Sequence, residues 1–290
     1  MTDGSTGSGW FHDIDSHELG AAREAIEQGE AEEPADWPQR AVDAGFADDE
    51  DDYYDLLQEA TIRTTQEVVR ERERAGDQQL TYSIRAMDDC ERMANELSER
   101  AAEWAGGLFT DVGSGVEDIR VVADRDPETA AERRAVSIAT RVADLADEAE
   151  AIRAFIERTA PSVAPNLSAM AGPVLASRLI ALAGGLEPLA KKPSGTVQVL
   201  GAEDALFAHL EGHAPSPKHG VIFTHEYVRE TRPEDRGSAA RAFAGKLAIA
   251  ARIDHYSGDY REEIHEELRE RMATIRARAE DEPDTTEGDR

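Results

Sequence analysis

The side chains best suited to chemistry in this chain are cations, and they are unevenly placed. All four lysines of the 290 residues, Lys191, Lys192, Lys218 and Lys246, lie within one 56-residue stretch. Residues 161–258 hold 10 Lys and Arg against 9 Asp and Glu, while the remainder holds 22 against 52, a net charge of −30 there. A polyanion is repelled by most of such a surface and tolerated at this segment. Lys191 and Lys192 precede Pro193, where two ammonium groups leaving a helix can reach adjacent phosphates. Lys218 and His219 occupy a loop bounded by Pro and Gly, lysine supplying charge and histidine a stacking face with hydrogen-bonding nitrogens. Gly201 and Ala202, small and at an expected helix start, can present backbone N–H groups to a phosphate. Gln198 can read an exposed base or ribose edge. Arg236, Arg241 and Lys246 are five residues apart and fan around a helix, with Arg236 nearest its start. A lone lysine is ordinarily a solvated charge, but a chain that otherwise avoids lysine gives these four more weight. Arg178 and Arg252 lie in Ala-rich stretches and are expected to form intramolecular salt bridges.

Other chemistries find little support. His209, His213, His219 and His225 are regularly spaced, yet HLEGH is not HExxH, and Gly212 weakens the helix that would align the first two. GSTGSG near the start lacks the Gly-Lys-Ser/Thr ending of a P-loop. Cys90 falls in an apolar seam and reads as packing. No nucleophilic triad or isolated acid pair stands out among so many solvated carboxylates. The expectation is a non-enzyme with no catalytic residue, metal or cofactor.

Composition sets the class. Apolar residues make up 40% of the chain, aromatics 6%, and Ala is abundant, which suits close-packed helices. A pI near 4.6 with few lysines resembles proteins adapted to molar salt, where charge repulsion is screened within about 3 Å. One cysteine excludes an intramolecular disulfide framework and fits a reducing cytosol. The first residues show no signal-peptide pattern and no apolar run approaches 18 residues, so a cytoplasmic protein without a membrane segment is expected.

Periodicity supplies the elements. Residues 1–52 form a short acidic N-terminal segment with isolated Trp10, Phe11, Trp37 and Phe46, open to reading as a small helical subdomain or a disordered arm. Residues 53–160 are helical. Leu80, Ile84, Met87, Cys90, Ala94, Leu97, Ala101 and Trp104 give one coiled-coil seam; Ile138, Val142, Leu145, Ala149, Ile152 and Ile156 give a second. Gly76 can interrupt the first helix, Gly106 and Gly107 end it, and 108–127 reads as a connector, so the helices should pair antiparallel. Pro161 and Pro165 are expected to break the second. A helix capped by Asn166 should then run to Ala190, followed by a loop from Pro193 to Gly201 with an extended piece at Thr196–Leu200. Further helices are expected over Ala202–Glu211, Glu234–Tyr256 and a last stretch carrying Tyr260, Ile264, Leu268, Met272 and Ile275, before an acidic tail at 281–290.

The stretch from Asn166 to Phe223, with LIALAGGL, QVLGAE-ALF and PKHGVI, followed by ARAFAGKLAIAAR within Arg236–Asp259, strongly resembles the Nop domain of archaeal box C/D ribonucleoprotein scaffolds. The resemblance covers about 95 residues in family order and spacing, and the preceding helical pair matches the family architecture. It implies an all-α protein: an antiparallel helical coiled coil followed by a helical Nop domain over 161–280. It further implies recognition of a kink-turn in a box C/D guide RNA already bound by a small ribosomal-type protein. In that family the particle holds the methyltransferase fibrillarin for ribose 2′-O-methylation, and the coiled coil self-associates, which implies a homodimer.

The chain also departs from the family pattern. Where the family commonly has basic residues after GAE and ALF, this sequence has Asp204 and Ala208. The segment before Arg236 reads TRPED, the coil connector is short, and 1–52 is shorter than the usual N-terminal domain. An RNA-binding assembly factor not coupled to methylation is the alternative, with an acidic metal-dependent hydrolase a distant third.

Overall fold

The computed structural model describes residues 9–12, 14–16, 22, 25, 26 and 35–277, and every regular element among them is helical. The acidic tail expected at 281–290 lies outside the described residues. The chain divides between Ala75 and Gly76 into two units.

In the first unit, α1 (Trp37–Asp43) begins at Asp36, whose carboxylate accepts from the Gln39 N–H, and α2 (Glu50–Arg74) begins at Asp49, which accepts from the Asp52 N–H at 2.8 Å. Such caps satisfy amide donors that a first helical turn leaves open. The aromatics scattered through this sequence converge. Trp10 packs edge-on to Phe46 at 5.2 Å, Phe11 stacks on Phe46 at 5.5 Å, and the Trp10 indole N–H donates to the Tyr53 hydroxyl at 3.2 Å. Ala22, Ala41 and Ala60 complete this small core, so the described residues form a helical subdomain rather than an arm.

The second unit opens with α3 (Gly76–Gly106) and α5 (Ala130–Val163), which pair antiparallel: Leu80, Ile84 and Met87 share a core with Ala149, Ile156 and Ala160. At the far end Ala101 and Ala105 pack with Ala135, Ala139 and Val142. The closest seam on α5 is lined by Ala135, Ala139, Val142, Ala149, Ile156 and Ala160, since small side chains let the axes approach. Ile138, Leu145 and Ile152 therefore flank the seam half-buried, and Trp104 is 42% exposed, unlike the register expected from spacing. The 108–127 connector also holds a helix, α4 (Val116–Ala123), whose Ile119 and Val122 fill the far core; eight residues are too few to show a clear period. Helix α5 starts in a capping box, Thr129 accepting from the Glu132 N–H while Glu132 accepts from the Thr129 N–H. It runs through Pro161, because a proline in the last turn forfeits one hydrogen bond without stopping the two residues that follow.

The expected helix from Asn166 to Ala190 is three helices: α6 (Pro165–Ala171), α7 (Pro173–Ala183) and α8 (Leu186–Lys191). Pro173 disfavours helical backbone at the residue before it, and Gly184 adopts φ +91°, a left-handed cap that releases the chain. Asn166 does not cap α6. It is buried, its side chain donating to Asp254 and to the Asp259 carbonyl while accepting from the Arg261 N–H. The capping anion is Asp254, which accepts from the N–H groups of Asn166 at 2.9 Å and Leu167 at 2.8 Å.

Asp254 belongs to α12 (Arg236–Tyr256), the helix around which this unit is built; Ala239, Ala240, Phe243, Ala244, Leu247, Ala248, Ala250 and Ala251 are all buried. Burying one residue such as Phe243 or Leu247 contributes about 1.5–3 kcal/mol. The unit also holds α9 (Ser194–Val199), α10 (Glu203–Leu210), a 3-10 turn at Val221–Thr224, α11 (Glu226–Arg229) and α13 (Glu263–Ala277). The segment expected to be extended at Thr196–Leu200 is thus mostly helical: Val197 is buried in the core that α12 anchors, and no strand exists among the described residues to receive its β-branched side chains. Helix α13 buries Leu268, Met272 and Ile275, whereas Tyr260 precedes it and is 56% exposed.

Candidate nucleic-acid interface

Most of the candidate residues gather at the two ends of α12, with Arg241 and Lys246 between them. Arg236 and Arg252 are sixteen residues apart on that helix, about 24 Å at the usual helical rise. Lys218, His219 and Arg236 lie at its first turn, while Lys191 and Lys192 lie at its last.

At the first turn, the loop after α10 is locked to the end of α9 by backbone pairing. The Gly220 N–H donates to the Gln198 carbonyl at 2.8 Å, the Val221 N–H to the Leu200 carbonyl at 2.7 Å, and the Gln198 amide to the Lys218 carbonyl at 2.7 Å. The chains pass so closely that a Cβ on Gly220 would stand 1.9 Å from the Leu200 oxygen. This pairing fixes His219, whose ring stacks on Phe223 with centroids 4.6 Å apart and planes 19° from parallel. Phe223 in turn lies under the Arg236 guanidinium at 5.3 Å. Arg236 is held by the Thr231 carbonyl at 3.0 Å and the Arg229 carbonyl at 3.2 Å. The Lys218 stem runs alongside Gly237, and its ammonium is exposed. Burial lowers the His219 pKa, and the positive charges of Arg236 and Lys218 push the same way. The ring is therefore neutral at pH 7, able to stack and to accept a hydrogen bond.

At the last turn, Arg252 forms no salt bridge among the described residues. It donates instead to the carbonyls of Ala190 at 3.1 Å and Lys192 at 3.3 Å, anchoring the exit of α8. That outcome follows from position, since carbonyls ending a helix lack intrahelical partners and accept from a donor that reaches them. Lys191 pairs with Glu187 at 2.6 Å, which raises its pKa. Arg178 forms the expected ion pair, with Asp88.

Other candidates are engaged internally. Lys246 pairs with Glu267 on α13. The Gly201 N–H donates to the Glu203 carboxylate at 2.9 Å and the Ala202 N–H to the Val199 carbonyl at 3.0 Å, so neither points freely at a ligand. Among the described residues, Lys192, Lys218 and Arg241 have no carboxylate within ion-pairing distance. Spacing alone overlooked Phe223 and the anchoring role of Arg252; the aromatic four residues after His219 was the available signal. No group of three or more His, Cys, Asp or Glu among the described residues is placed to hold a metal ion.

Residues 114–275 match the family model "Nop", described as snoRNA binding domain, fibrillarin. An uncharacterized NOP5 family protein of Methanocaldococcus jannaschii is 32% identical over 270 residues, covering 80% of this chain and 65% of the relative. Nucleolar protein 58 of Debaryomyces hansenii is 27% identical, covering 70% of this chain and 47% of its own length. Human nucleolar protein 56 is 37% identical over 141 residues, 47% of this chain and 24% of the relative. The chain thus spans less than two thirds of these relatives. A chain in the crystal structure of a fibrillarin/Nop5p complex superposes with a TM-score of 0.52 at 25% identity, over 88% of this chain and 92% of that one.

Proposed function

The chain belongs to the Nop family, and on that footing we propose that it is an RNA-binding scaffold of a box C/D guide ribonucleoprotein, acting in the cytoplasm. In this reading it grips a kink-turn RNA already bound by a small ribosomal-type protein and holds fibrillarin for ribose 2′-O-methylation of ribosomal or transfer RNA. The reaction belongs to the methyltransferase, and this chain contributes binding and position.

The observation that supports the reading best is the His219–Phe223–Arg236 stack, with Lys218 beside it, on a backbone-locked loop in the one charge-balanced segment of an acidic chain. A neutral ring, a cation and a rigid loop suit an unpaired base and its phosphate, which is how folded RNA is usually read. Lys191, Lys192 and Arg241 add positive charge. Gln198 buttresses the loop through the Lys218 carbonyl, and Lys246 ties α12 to α13. Phosphate contact through Gly201 requires Glu203 to swing away first, and contact through Ala202 requires its N–H to leave the Val199 carbonyl. With so few unpaired cations, affinity depends weakly on ionic strength, which suits binding in molar salt. Homodimerisation is assigned to the coil, where Met93, Leu97 and Leu145 line one open groove and Tyr82, Ile152 and Phe155 another.

The test is reconstitution from this chain, guide RNA, the small ribosomal-type protein and fibrillarin, followed by mapping of 2′-O-methyl groups. Site-specific methylation that falls at least tenfold in the double variant Lys218→Gln, His219→Ala supports the scaffold. RNA binding without fibrillarin recruitment would instead favour an assembly factor uncoupled from methylation.

A further inference from the structure

The last turn of α12 carries an exposed aromatic that the fold has no use for. Tyr256 is 69% exposed, the most exposed aromatic side chain of the second unit. It lies four residues after Arg252, so the two share one face of the helix. Arg252 reaches across to the carbonyls of Ala190 and Lys192, which brings this face against the exit of α8. Two of the four lysines in the chain, Lys191 and Lys192, leave from that exit. Its ring is steadied edge-on by His255, with centroids 4.6 Å apart at 62°. One carboxylate, Glu187, answers Lys191; Lys192 has none among the described residues.

From this we infer a second RNA contact, separate from the Lys218–His219 loop, in which Tyr256 stacks on an unpaired base of a single-stranded segment while Lys191 and Lys192 hold its flanking phosphates. A flat, solvated ring beside cations is the arrangement that binds single strands: every base has a face to stack, and the backbone follows the charge. A duplex buries its base faces and leaves the ring uncovered. Arg236 and Tyr256 are about 30 Å apart along α12, so a strand leaving the folded RNA at one end is caught at the other. Arg252 is a positioning residue here, since it touches protein carbonyls and sets the direction of the lysines.

The inference rests on the RNA-binding reading above, and the experiment separates the two. Full-length protein is titrated, by fluorescence anisotropy, into a kink-turn RNA pre-bound by a small ribosomal-type protein. The RNA is used blunt, or extended by ten uridines at either end. One extension should tighten binding. Tyr256→Ala should remove that gain, by about fivefold or more, the loss expected for one base–aromatic stack. Tyr256→Phe should keep it, and neither variant should change binding of the blunt RNA. Lys218→Gln with His219→Ala should weaken both RNAs equally. An extension that adds nothing, or a Tyr256→Ala loss that is the same on blunt RNA, overturns the second contact while leaving the first. Failure of the wild-type protein to bind either RNA sinks both. Displacement of the extended strand alone by a poly-glutamate peptide would give the corner to an acidic peptide and overturn the assignment.

Discussion

Gly220→Ala tests whether the candidate interface depends on the close passage of two chain segments. The obstacle is contact: the added methyl would sit 1.9 Å from the Leu200 carbonyl oxygen and 2.7 Å from the Val199 carbonyl carbon. Both are backbone atoms and cannot rotate away, so the segments must part by more than 1 Å, roughly the shortfall from van der Waals contact. Parting them removes the hydrogen bonds from Gly220 to Gln198 and from Val221 to Leu200, and the Gln198 bond to the Lys218 carbonyl with them. At about 0.5–1.5 kcal/mol net for each bond, the loss is roughly 2–4 kcal/mol. In a unit of this size, that lowers Tm by about 4–16 °C. The same displacement moves Lys218 and His219 off their positions, so affinity for the protein-bound RNA should fall at least tenfold. Gly195→Ala is the control: it lies in α9 with nothing within 4 Å of the added methyl, and should be neutral or stabilising by up to about 1 kcal/mol. Differential scanning calorimetry and an RNA titration on both variants decide the matter. A Gly220→Ala protein with unchanged Tm and affinity would refute the claim that this pairing builds the interface.

Two further outcomes follow from buried polar groups. Asp254→Ala strips the acceptor from two backbone N–H groups and the Asn166 amide in a buried site, and should cost about 3–5 kcal/mol by urea denaturation. A loss below 1 kcal/mol would mean that water replaces the carboxylate. Burial lowers the pKa values of His219, His225 and His265 below the ordinary histidine value of 6.5. A depressed folded-state pKa contributes stability that is present above the unfolded value and lost as pH falls through the folded one. Unfolding free energy should therefore decline on acidification below pH 6.5, and His225→Asn should flatten that slope. Asp254, which burial raises, acts oppositely in the carboxylate range: its contribution is full below pH 3.8 and lost as pH rises through its folded value. Stability flat from pH 7.5 to 5 would contradict the histidine assignment.

How much of this was legible in the residues depends on whether the determinant is local. The antiparallel coil could be read because each long helix carries its own apolar period. Its register could not, since which of two adjacent stripes faces inward depends on the partner; alanines won the centre and pushed Ile138, Leu145 and Ile152 to the flank. The Nop-like segment from Asn166 announced itself by motif, but its internal breaks were partly hidden. Apolar density alone favoured one long helix, although Pro173 and Gly184 supplied the signals against it. Thr196 to Leu200 was misread for a related reason: β-branched residues prefer a strand only where a strand exists to pair with. Asn166 as a cap failed because the better acceptor, the Asp254 carboxylate, is 88 residues away and arrives only through packing.

The candidate site shows the same division. The concentration of lysines located the region, since charge is a property of composition that folding cannot move far. It could not say that α12 would separate Lys191 and Lys192 from Lys218 and Arg236, because both groups read as neighbours in a lysine-poor chain. Nor could it say which cations stay available. Glu187 and Glu267 engage Lys191 and Lys246, and those pairings depend on a helical turn and on a second helix respectively. Of the candidate cations, those with neither a carboxylate nor a carbonyl partner among the described residues are Lys192, Lys218 and Arg241. An interface with so little free charge has to draw its affinity from surfaces that salt does not screen. The stacked His219 and Phe223 at one end of α12, and the bare ring of Tyr256 at the other, are surfaces of that kind. Under the proposed RNA-binding reading, exposed aromatic faces are the counterpart of the shortage of lysine: stacking supplies affinity that so few cations do not.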